Sequence, residues 1–254
     1  MLVSVLASGS KGNCTLIQTK TANFLIDAGT NAKNIAEKLR ENNLSLKDIN
    51  YILISHTHND HVSALKTIIH KYHPTIILSR LMYEELPYLK EYDHVMFLQD
   101  DLLIDDVLIE NIKTSHDTSD SRGYILTEGE SSIVQITDTG YLNQKYFAKL
   151  KNKNLYIMES NHNLEMLLNG RYPKWLKVRV ASDKGHLSNE ASAFYLSKLI
   201  GQNTKKIILA HLSEENNTPS LAIETLKKEL LENNIEFTNY ETAKQNEKTE
   251  SVLI

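Results

Sequence analysis

The sequence contains little cysteine, proline and glycine, and it has no long apolar run. Its single cysteine, Cys14, cannot form an internal disulfide, which argues against an exported, disulfide-stabilised scaffold. Four prolines and nine glycines in 254 residues leave little material for a flexible linker. No apolar run approaches the ~18 residues that a membrane-spanning helix needs. These absences predict a single cytoplasmic domain over residues 1–254 without a membrane partner. The polar composition from about residue 241 predicts a loose tail.

The overall composition is that of an ordinary globular protein. Hydrophobic residues make up 41% and charged residues 24%, and the formal net charge is −4. Disordered, collagen-like and coiled-coil classes are therefore excluded. Because the chain is slightly acidic, any affinity for nucleic acid must come from a local basic patch rather than from a general positive field.

The apolar pattern predicts an order of strands and helices that occurs twice. In the first half we expect strands at 2–8, 14–18, 24–27 and 51–55, with a helix at 31–41. In the second half we expect strands at 106–115, 123–127, 131–137 and 155–159, with a helix at 142–151. Helices at 164–168, 188–200 and 219–232 and strands at 205–211 and near Phe237 follow.

The repeat is also visible in the residues. Asp27 and Asp138 both begin an Asp-x-Gly sequence after a strand, and residues 50–58 align without gaps on 154–162. Two such sheets with helices outside would pack into a four-layer αββα sandwich of the α/β (α+β) class with an internal pseudo-repeat. The alternative reading is that each Asp-x-Gly is only a turn signal.

Four candidate metal ligands directly follow the apolar strand at 51–55. They are His56, His58, Asp60 and His61. Residues two apart on extended chain point to the same side, so His56 and His58 are expected to bind one cation. Asp60 and His61 then turn toward a second cation. The alternative is an ordinary solvated polar loop.

Three more candidate ligands stand at strand ends further along the chain: His116, Asp138 and His211. In the resulting hypothesis, metal 1 is held by His56, His58 and His116, metal 2 by Asp60, His61 and His211, and Asp138 bridges the two ions. Asp27 is expected to accept an N–H from a ligating histidine. Imidazole and carboxylate ligands without thiolate suit two divalent ions, Zn²⁺ or Mn²⁺, with Fe²⁺ also compatible.

Several polar residues are candidate substrate contacts. Residues 166–182 contain four cations and no acid, and from this segment we select Arg171 and Lys174 as a phosphate patch, with Trp175 and Tyr172 as possible stacking faces for bases. The alternative is a solvated basic loop. Further candidates are Lys11 and Asn13 in an early glycine-rich turn, which is otherwise an ordinary hairpin, and His162, which is otherwise a helix cap.

Together, the residues Asp27, His56-x-His58-x-Asp60-His61, His116, Asp138 and His211 resemble the five motifs of the metallo-β-lactamase-fold superfamily. His186, in Gly185-His-Leu-Ser188, resembles the additional His-x-Ser/Thr motif of its phosphodiesterase branches. Residues 7–13, 159–162, 170–173 and 185–189 are similar to the YycJ (WalJ) group of bacterial proteins. The resemblance implies a 5′ to 3′ DNA exonuclease.

The expected reaction is two-metal phosphodiester hydrolysis of nucleic acid, with DNA as the partner. A hydroxide between the ions attacks phosphorus, Asp60 positions or deprotonates that water, and His186 polarises or protonates the leaving oxygen. Two alternatives stay open at this point. One is a small-molecule metallohydrolase acting on a thioester, lactone or cyclic phosphodiester, and the other is a non-catalytic DNA-binding protein.

Overall fold

The computed structural model describes residues 1–254 as two seven-stranded sheets with helices on their outer faces. The first sheet has the strand order β14-β1-β2-β3-β4-β5-β6. Its strands are β1 (Leu2–Ala7), β2 (Cys14–Gln18), β3 (Asn23–Ile26), β4 (Tyr51–Leu53), β5 (Thr75–Leu78), β6 (Val95–Phe97) and β14 (Val252–Leu253). The helices in this half are α1 (Ala32–Arg40), α2 (Asn59–Val62), α3 (Leu65–Tyr72) and α4 (Arg80–Glu85).

The second sheet has the strand order β13-β12-β11-β10-β9-β8-β7. Its strands are β7 (Asp101–Ile104), β8 (Val107–Lys113), β9 (Arg122–Glu128), β10 (Ser131–Ile136), β11 (Leu155–Glu159), β12 (Lys206–Ala210) and β13 (Tyr240–Thr242). The helices are α5 (Phe147–Leu150), α6 (Leu164–Asn169), α7 (Lys174–Val180), α8 (Asn189–Leu199) and α9 (Pro219–Glu232). No helix is both long and apolar enough to cross a bilayer.

The two sheets have the same pairing pattern, strand for strand. Counted from the β14 edge, the first sheet has three antiparallel pairings followed by three parallel ones. Counted from the β7 edge, the second sheet has three antiparallel and then three parallel pairings. Asp27 after β3 and Asp138 after β10 occupy equivalent positions, and both have positive φ, 63° and 55°. The predicted αββα class and its internal repeat are therefore confirmed.

Three apolar layers hold the sandwich together. The central layer joins the inner faces of both sheets and includes Phe24 and Tyr124. A second layer packs the first sheet against α1 and α3, where Ile35 and Leu39 lie one helical turn apart and are fully buried. The third packs the second sheet against α8 and α9 through residues such as Leu196. Burial of apolar surface on both faces explains the nearly continuous apolar runs of β4 and β12.

Several boundaries differ from the sequence-based expectation. The basic segment contains a helix, α7, that was not predicted, and the helix expected at 142–151 is reduced to a short 3₁₀ turn followed by α5. The strand expected near Phe237 lies at β13. Residues 62–105, to which no element was assigned, contribute α3, α4 and strands β5 to β7.

The prediction of a loose tail from about residue 241 is wrong. Thr249 donates its backbone N–H to the Val5 carbonyl oxygen at 2.9 Å, and its hydroxyl oxygen accepts the Val5 N–H at 3.0 Å. β14 then pairs antiparallel with β1. The segment is polar in composition because it lies on the surface, but its backbone completes the edge of the first sheet.

Candidate metal centre

The predicted ligands converge because they follow strands whose ends meet at one edge of the sandwich. His56 and His58 follow β4, Asp138 follows β10 and His211 follows β12. Hydrogen bonds join the two sheets at this edge. The Tyr124 hydroxyl donates to the Ile54 carbonyl oxygen at 2.6 Å, and the Arg122 backbone N–H donates to the Ser55 carbonyl oxygen at 2.9 Å.

Close backbone packing fixes the turn that carries Asp60. Asn13 donates its backbone N–H to the Asp60 carbonyl oxygen at 2.8 Å. A Cβ on Gly29 would lie 1.6 Å from that same oxygen, so only glycine fits at this point. Asp60 and His61 lie in the single-turn helix α2, with His58 as the residue before it.

The side chains form two groups joined by one carboxylate. His56, His58 and His116 form the first group, and Asp60, His61 and His211 form the second, with the ligand atoms of each group within 4.8 Å of one another. Asp138 lies between them: its Oδ2 atom is 3.2 Å from His61 Nε2, and its Oδ1 atom is 3.9 Å from His116 Nε2. This is the division that the spacing predicted, and the individual ligand roles stay a prediction.

In four of the five histidines, the Nδ1 atom contacts a neighbouring residue, and the Nε2 atom faces the cluster. The Nδ1 atoms of His56, His61, His116 and His211 contact Ser55 Oγ (3.2 Å), Asp27 Oδ2 (2.7 Å), the Gly185 carbonyl oxygen (3.2 Å) and Glu159 Oε1 (2.9 Å), respectively. Asp27 also accepts the Ser55 N–H at 2.8 Å. An outer hydrogen bond of this kind fixes the ring and leaves Nε2 available as a ligand.

Two of the inward nitrogens are buried without a hydrogen-bond partner, namely Nε2 of His56 and Nε2 of His211. Buried polar atoms normally have partners, and a divalent cation would supply one here. The surrounding donors are imidazole nitrogens and carboxylate oxygens, which suit such an ion. The residues present therefore fit a divalent metal.

The pKa values of the cluster residues are shifted in different directions. Burial lowers the pKa of His56 and of His116. Burial opposes protonation of His61 as well, but Asp27 and Asp138 outweigh it and raise the pKa to about 10. The pKa of Asp138 is held well below its usual range because His211 and His61 outweigh its burial. Asp138 is thus a carboxylate, ready to bind a cation.

Glu159 is a functional residue that sequence reasoning missed. It is fully buried at the end of β11, and its Oε1 atom lies 2.8 Å from His186 Nδ1 and 2.9 Å from His211 Nδ1. Its Oε2 atom accepts the backbone N–H groups of Thr139 and Leu187. The gapless alignment of the two halves contained the signal, since it pairs Glu159 with Ser55, and both residues contact a ring nitrogen in the cluster.

A cavity of about 150 Å³ opens beside the cluster. The residues that line it include three histidines, His116, His186 and His211, together with Tyr172, Arg179 and Lys184. Arg179 is ion-paired with Asp117, with N–O distances of 2.6 Å. The predicted catalytic residue His186 therefore faces a cavity that also presents two cations.

The candidate substrate contacts lie in different parts of the structure. Asn13 is buried and lies inside the cluster, with Nδ2 3.0 Å from His61 Nε2. Lys11 is exposed and paired with Glu214. Arg171 and Lys174 do not line the cavity; Arg171 faces a separate hollow beside Glu215. The cavity is lined instead by Arg179, near the end of the unpredicted helix α7, and by Lys184, in the turn that follows it.

His162 is buried, but it does not line the cavity. Neither ring nitrogen has a hydrogen-bond partner, and burial lowers the pKa of the ring to about 4. It does not cap α6 either, because the side chain that accepts the first-turn N–H is that of Asn163.

Comparison with known proteins agrees with this geometry. The family model described as "Metallo-beta-lactamase superfamily" matches residues 7–142. The chain belongs to the metallo-β-lactamase superfamily. With its His and Asp clusters, it is a metal-dependent hydrolase with sites for divalent cations.

Within the superfamily, the expected likeness to the YycJ (WalJ) group is confirmed. The chain is 34% identical over 251 residues to exodeoxyribonuclease WalJ of Streptococcus pneumoniae, covering 94% of this chain and 93% of the relative. It is 34% identical over 224 residues to exodeoxyribonuclease YycJ of Bacillus anthracis, covering 86% and 85%. The fold is also that of the metallo-β-lactamase fold protein YhfI from Bacillus subtilis, with a TM-score of 0.72 and 18% identity over 98% and 99% of the two chains.

Proposed function

We propose that the chain is a DNA exonuclease that acts in the 5′ to 3′ direction and uses two divalent metal ions, Zn²⁺ or Mn²⁺. The printed activity of its relatives in Streptococcus pneumoniae and Bacillus anthracis supports the nuclease class. The single observation that carries the proposal is the position of His186, which is bonded to Glu159 and faces a cation-lined cavity beside the metal cluster. A cytoplasmic location stays a prediction from the single cysteine.

The first ion would be held by His56, His58 and His116 and the second by Asp60, His61 and His211, and Asp138 would serve both. When bound, such ions lower the pKa of a coordinated water to near ~7 and neutralise charge on the phosphoryl oxygens.

Asp60 is proposed to hold and orient the attacking water. Burial opposes ionisation of its carboxyl, but the nearby imidazoles of His211 and His61 outweigh burial and lower its pKa. Its Oδ2 atom lies 3.6 Å from His61 Nε2 and 3.8 Å from His211 Nε2. At neutral pH it is therefore a carboxylate that accepts a proton from water at the centre of the cluster.

His186 is proposed as the general acid for the leaving oxygen. Its Nδ1 atom is held by Glu159, so a proton carried on Nε2 is free to pass to the substrate. Burial of the Glu159 carboxyl is outweighed by His186 and His211, which lower its pKa to about 2, so at neutral pH Glu159 is a carboxylate that holds the Nδ1 side of the His186 ring. A positioned general acid typically contributes ~10²–10⁴-fold to the rate.

The cations of the cavity wall are proposed to bind the phosphodiester backbone. Arg179 keeps one edge of its guanidinium against Asp117, which orients the group, and its remaining N–H donors are available to phosphate. Lys184 adds a second positive charge to the same wall. Together they balance the negative charge that a strand of nucleic acid brings to the cavity.

The decisive experiment uses single- and double-stranded DNA, labelled at the 5′ or the 3′ end, with purified protein and Mn²⁺ or Zn²⁺. We expect metal-dependent release of nucleotides from the 5′ end, and loss of that activity in Asp138→Ala. Release from the 3′ end would overturn the proposed direction. If DNA stays intact while a thioester, lactone or cyclic phosphodiester is hydrolysed, the chain is a small-molecule hydrolase. Binding of DNA without any hydrolysis would indicate a non-catalytic binding protein.

A further inference from the structure

Helices α6 and α7 expose four apolar side chains beside the cavity. The exposed fractions are 41% for Leu164, 66% for Leu168, 66% for Trp175 and 63% for Val178. Leu164 and Leu168 are four residues apart on α6, and Trp175 and Val178 are three apart on α7, so each pair lies on one side of its helix. We call these four side chains the α6–α7 face. The two helices adjoin, since Lys177 of α7 donates to the Leu168 carbonyl oxygen of α6, and large apolar side chains exposed on adjoining helices indicate a contact surface.

The segment that carries most of the α6–α7 face is rich in positive charge. Residues 166–182 contain Arg171, Lys174, Lys177 and Arg179 and no acidic residue. Arg179 is paired with Asp117, and Lys177 donates to the Leu168 carbonyl oxygen at 2.6 Å. Arg171 and Lys174 have no carboxylate within ion-pair distance. Lys174, which precedes Trp175 in the sequence, is thus an unpaired positive charge next to this residue, and Arg171 is an unpaired cation in the loop between the two helices.

The face is continuous with the proposed catalytic cavity. Leu176 and Arg179 of α7 line the cavity, and Trp175 lies four residues before Arg179, which places the two on the same side of the helix. The exposed indole is therefore next to a residue of the cavity wall. Val178 and Lys174 lie further along the same exposed flank of α7.

The charge of the face decides between possible occupants. A second copy docked symmetrically would bring the same four cations against themselves, which is unfavourable. A polyanion with apolar, planar groups satisfies both the cations and the indole. Single-stranded nucleic acid has this chemistry, and bases stack on aromatic side chains with little sequence preference. In a duplex the base faces are already covered by neighbouring base pairs.

We propose that the α6–α7 face binds the single-stranded part of a nucleic acid whose end lies in the cavity, with Trp175 stacked on a base and Arg171 and Lys174 beside the phosphates. This inference rests on the proposed nuclease function and extends it to the form of the substrate. Trp175 is a binding residue in this scheme. It contributes to affinity for the strand and not to the chemical step.

The first test uses the fact that Trp175 is the only tryptophan of the chain. Its fluorescence is titrated in the metal-loaded protein with phosphorothioate oligothymidylate, with an abasic strand of the same length and with the matching blunt duplex. We expect quenching by the oligothymidylate, and little change with the abasic strand or the duplex. Equal quenching by the abasic strand would show that only phosphates are bound and would overturn the stacking. Quenching by the duplex alone would overturn the single-strand assignment.

The second test separates affinity from catalysis. In Trp175→Ala we expect KM for single-stranded DNA to rise roughly tenfold, because base stacking contributes ~1–3 kcal/mol per base, with kcat unchanged. Trp175→Phe is expected to retain most of the affinity. Hydrolysis of bis(p-nitrophenyl) phosphate, which does not reach the face, should be unaffected in both variants. Leu103→Ala is the matched control, since Leu103 is 67% exposed on β7 and outside the cavity.

The outcomes distinguish this inference from the proposed function. If the unmodified protein degrades no DNA, the nuclease proposal fails. If it degrades DNA and Trp175→Ala has the same KM as Leu103→Ala, only the stacking surface fails. Two results give the face another occupant and overturn the inference. One is a blue shift of the Trp175 emission on anionic lipid vesicles with no response to oligonucleotides, and the other is emission that changes with protein concentration alone.

Discussion

Glu159 Oε1 lies 2.8 Å from Nδ1 of His186, and the same oxygen lies 2.9 Å from Nδ1 of His211. One buried carboxylate thus orients both the proposed general acid and a proposed metal ligand. Because the carboxylate is fully buried, the two imidazoles and two backbone N–H groups are its main source of stabilisation. Metal binding and proton transfer are expected to depend on Glu159 together.

Replacement of Glu159 should therefore impair two measurable properties. In Glu159→Gln we expect kcat for DNA to fall by about 10²-fold and metal affinity to fall by about 10–100-fold, as for other residues that orient ligands. Metal affinity is measured by competition with a chelating dye. Glu165→Gln, on the exposed first turn of α6, is the control. Unchanged metal affinity in Glu159→Gln would show that His211 is oriented by other contacts.

The role of His186 can be tested with leaving groups of different basicity. In His186→Ala we expect kcat for DNA to fall by about 10²–10⁴-fold, because the leaving sugar oxygen needs a proton. Hydrolysis of a p-nitrophenyl phosphodiester should fall by less than about tenfold, since p-nitrophenolate leaves without protonation. Equal losses on both substrates would indicate that His186 binds phosphate instead of transferring a proton.

The turn that carries Asp60 should not tolerate a side chain at Gly29. The Cβ of Gly29→Ala would lie 1.6 Å from the Asp60 carbonyl oxygen, so the turn must shift. We expect a loss of about 1–3 kcal/mol in the free energy of unfolding, from urea denaturation, together with weaker metal binding. Gly129→Ala is the control: its φ is +57°, but no atom lies within 4 Å of the added Cβ. It should cost about 1 kcal/mol of backbone strain and leave metal binding intact.

His162 should make stability depend on pH in the acid range. Burial lowers its pKa from 6.5 to about 4, so between these values the unfolded chain binds a proton that the folded chain does not. Its contribution to stability is therefore full above pH 6.5 and declines as the pH falls toward 4, by about 3 kcal/mol in total. In His162→Asn this part of the pH dependence should disappear.

The measurement is urea denaturation of metal-free protein at several pH values between 4 and 7, for both chains. Without metal, the other histidines are protonated in the same way in the unmodified protein and in His162→Asn. The difference between the two curves then isolates His162. Parallel curves would mean that the ring of His162 is protonated as easily in the folded protein as in the unfolded one.

The architecture of the sandwich was predictable because both sheets have the same local pattern. Continuous apolar runs such as 51–54 and 207–210 indicate strands buried on two faces, and the helix at Pro219–Glu232 was predicted with its observed bounds. The prediction of a loose tail from about residue 241 was wrong because amino-acid composition does not show which backbone groups form hydrogen bonds. The hydrogen bonds between Thr249 and Val5 join residues far apart in the sequence.

The candidate site was predictable where residues close in sequence share a strand end, as His56, His58, Asp60 and His61 do. Glu159 was missed because a buried carboxylate at the end of an apolar strand has no spacing signal of its own; only its alignment with Ser55 in the internal repeat marked it. Arg171 and Lys174 were chosen because charge counting cannot tell which side of a helix faces the cavity. That side is set by the packing of α7, which directs Arg179 inward.

The equivalence of the two sheets gives the metal site a structural consequence. Four proposed ligands come from the first half of the chain, and three, His116, Asp138 and His211, come from the second. A bound ion would then act as a cross-link between the halves, in a chain whose single cysteine cannot supply one. Neither half contains a complete ligand set. Retention of the metal would therefore show that the two halves are correctly packed together, as well as that the catalytic site is formed.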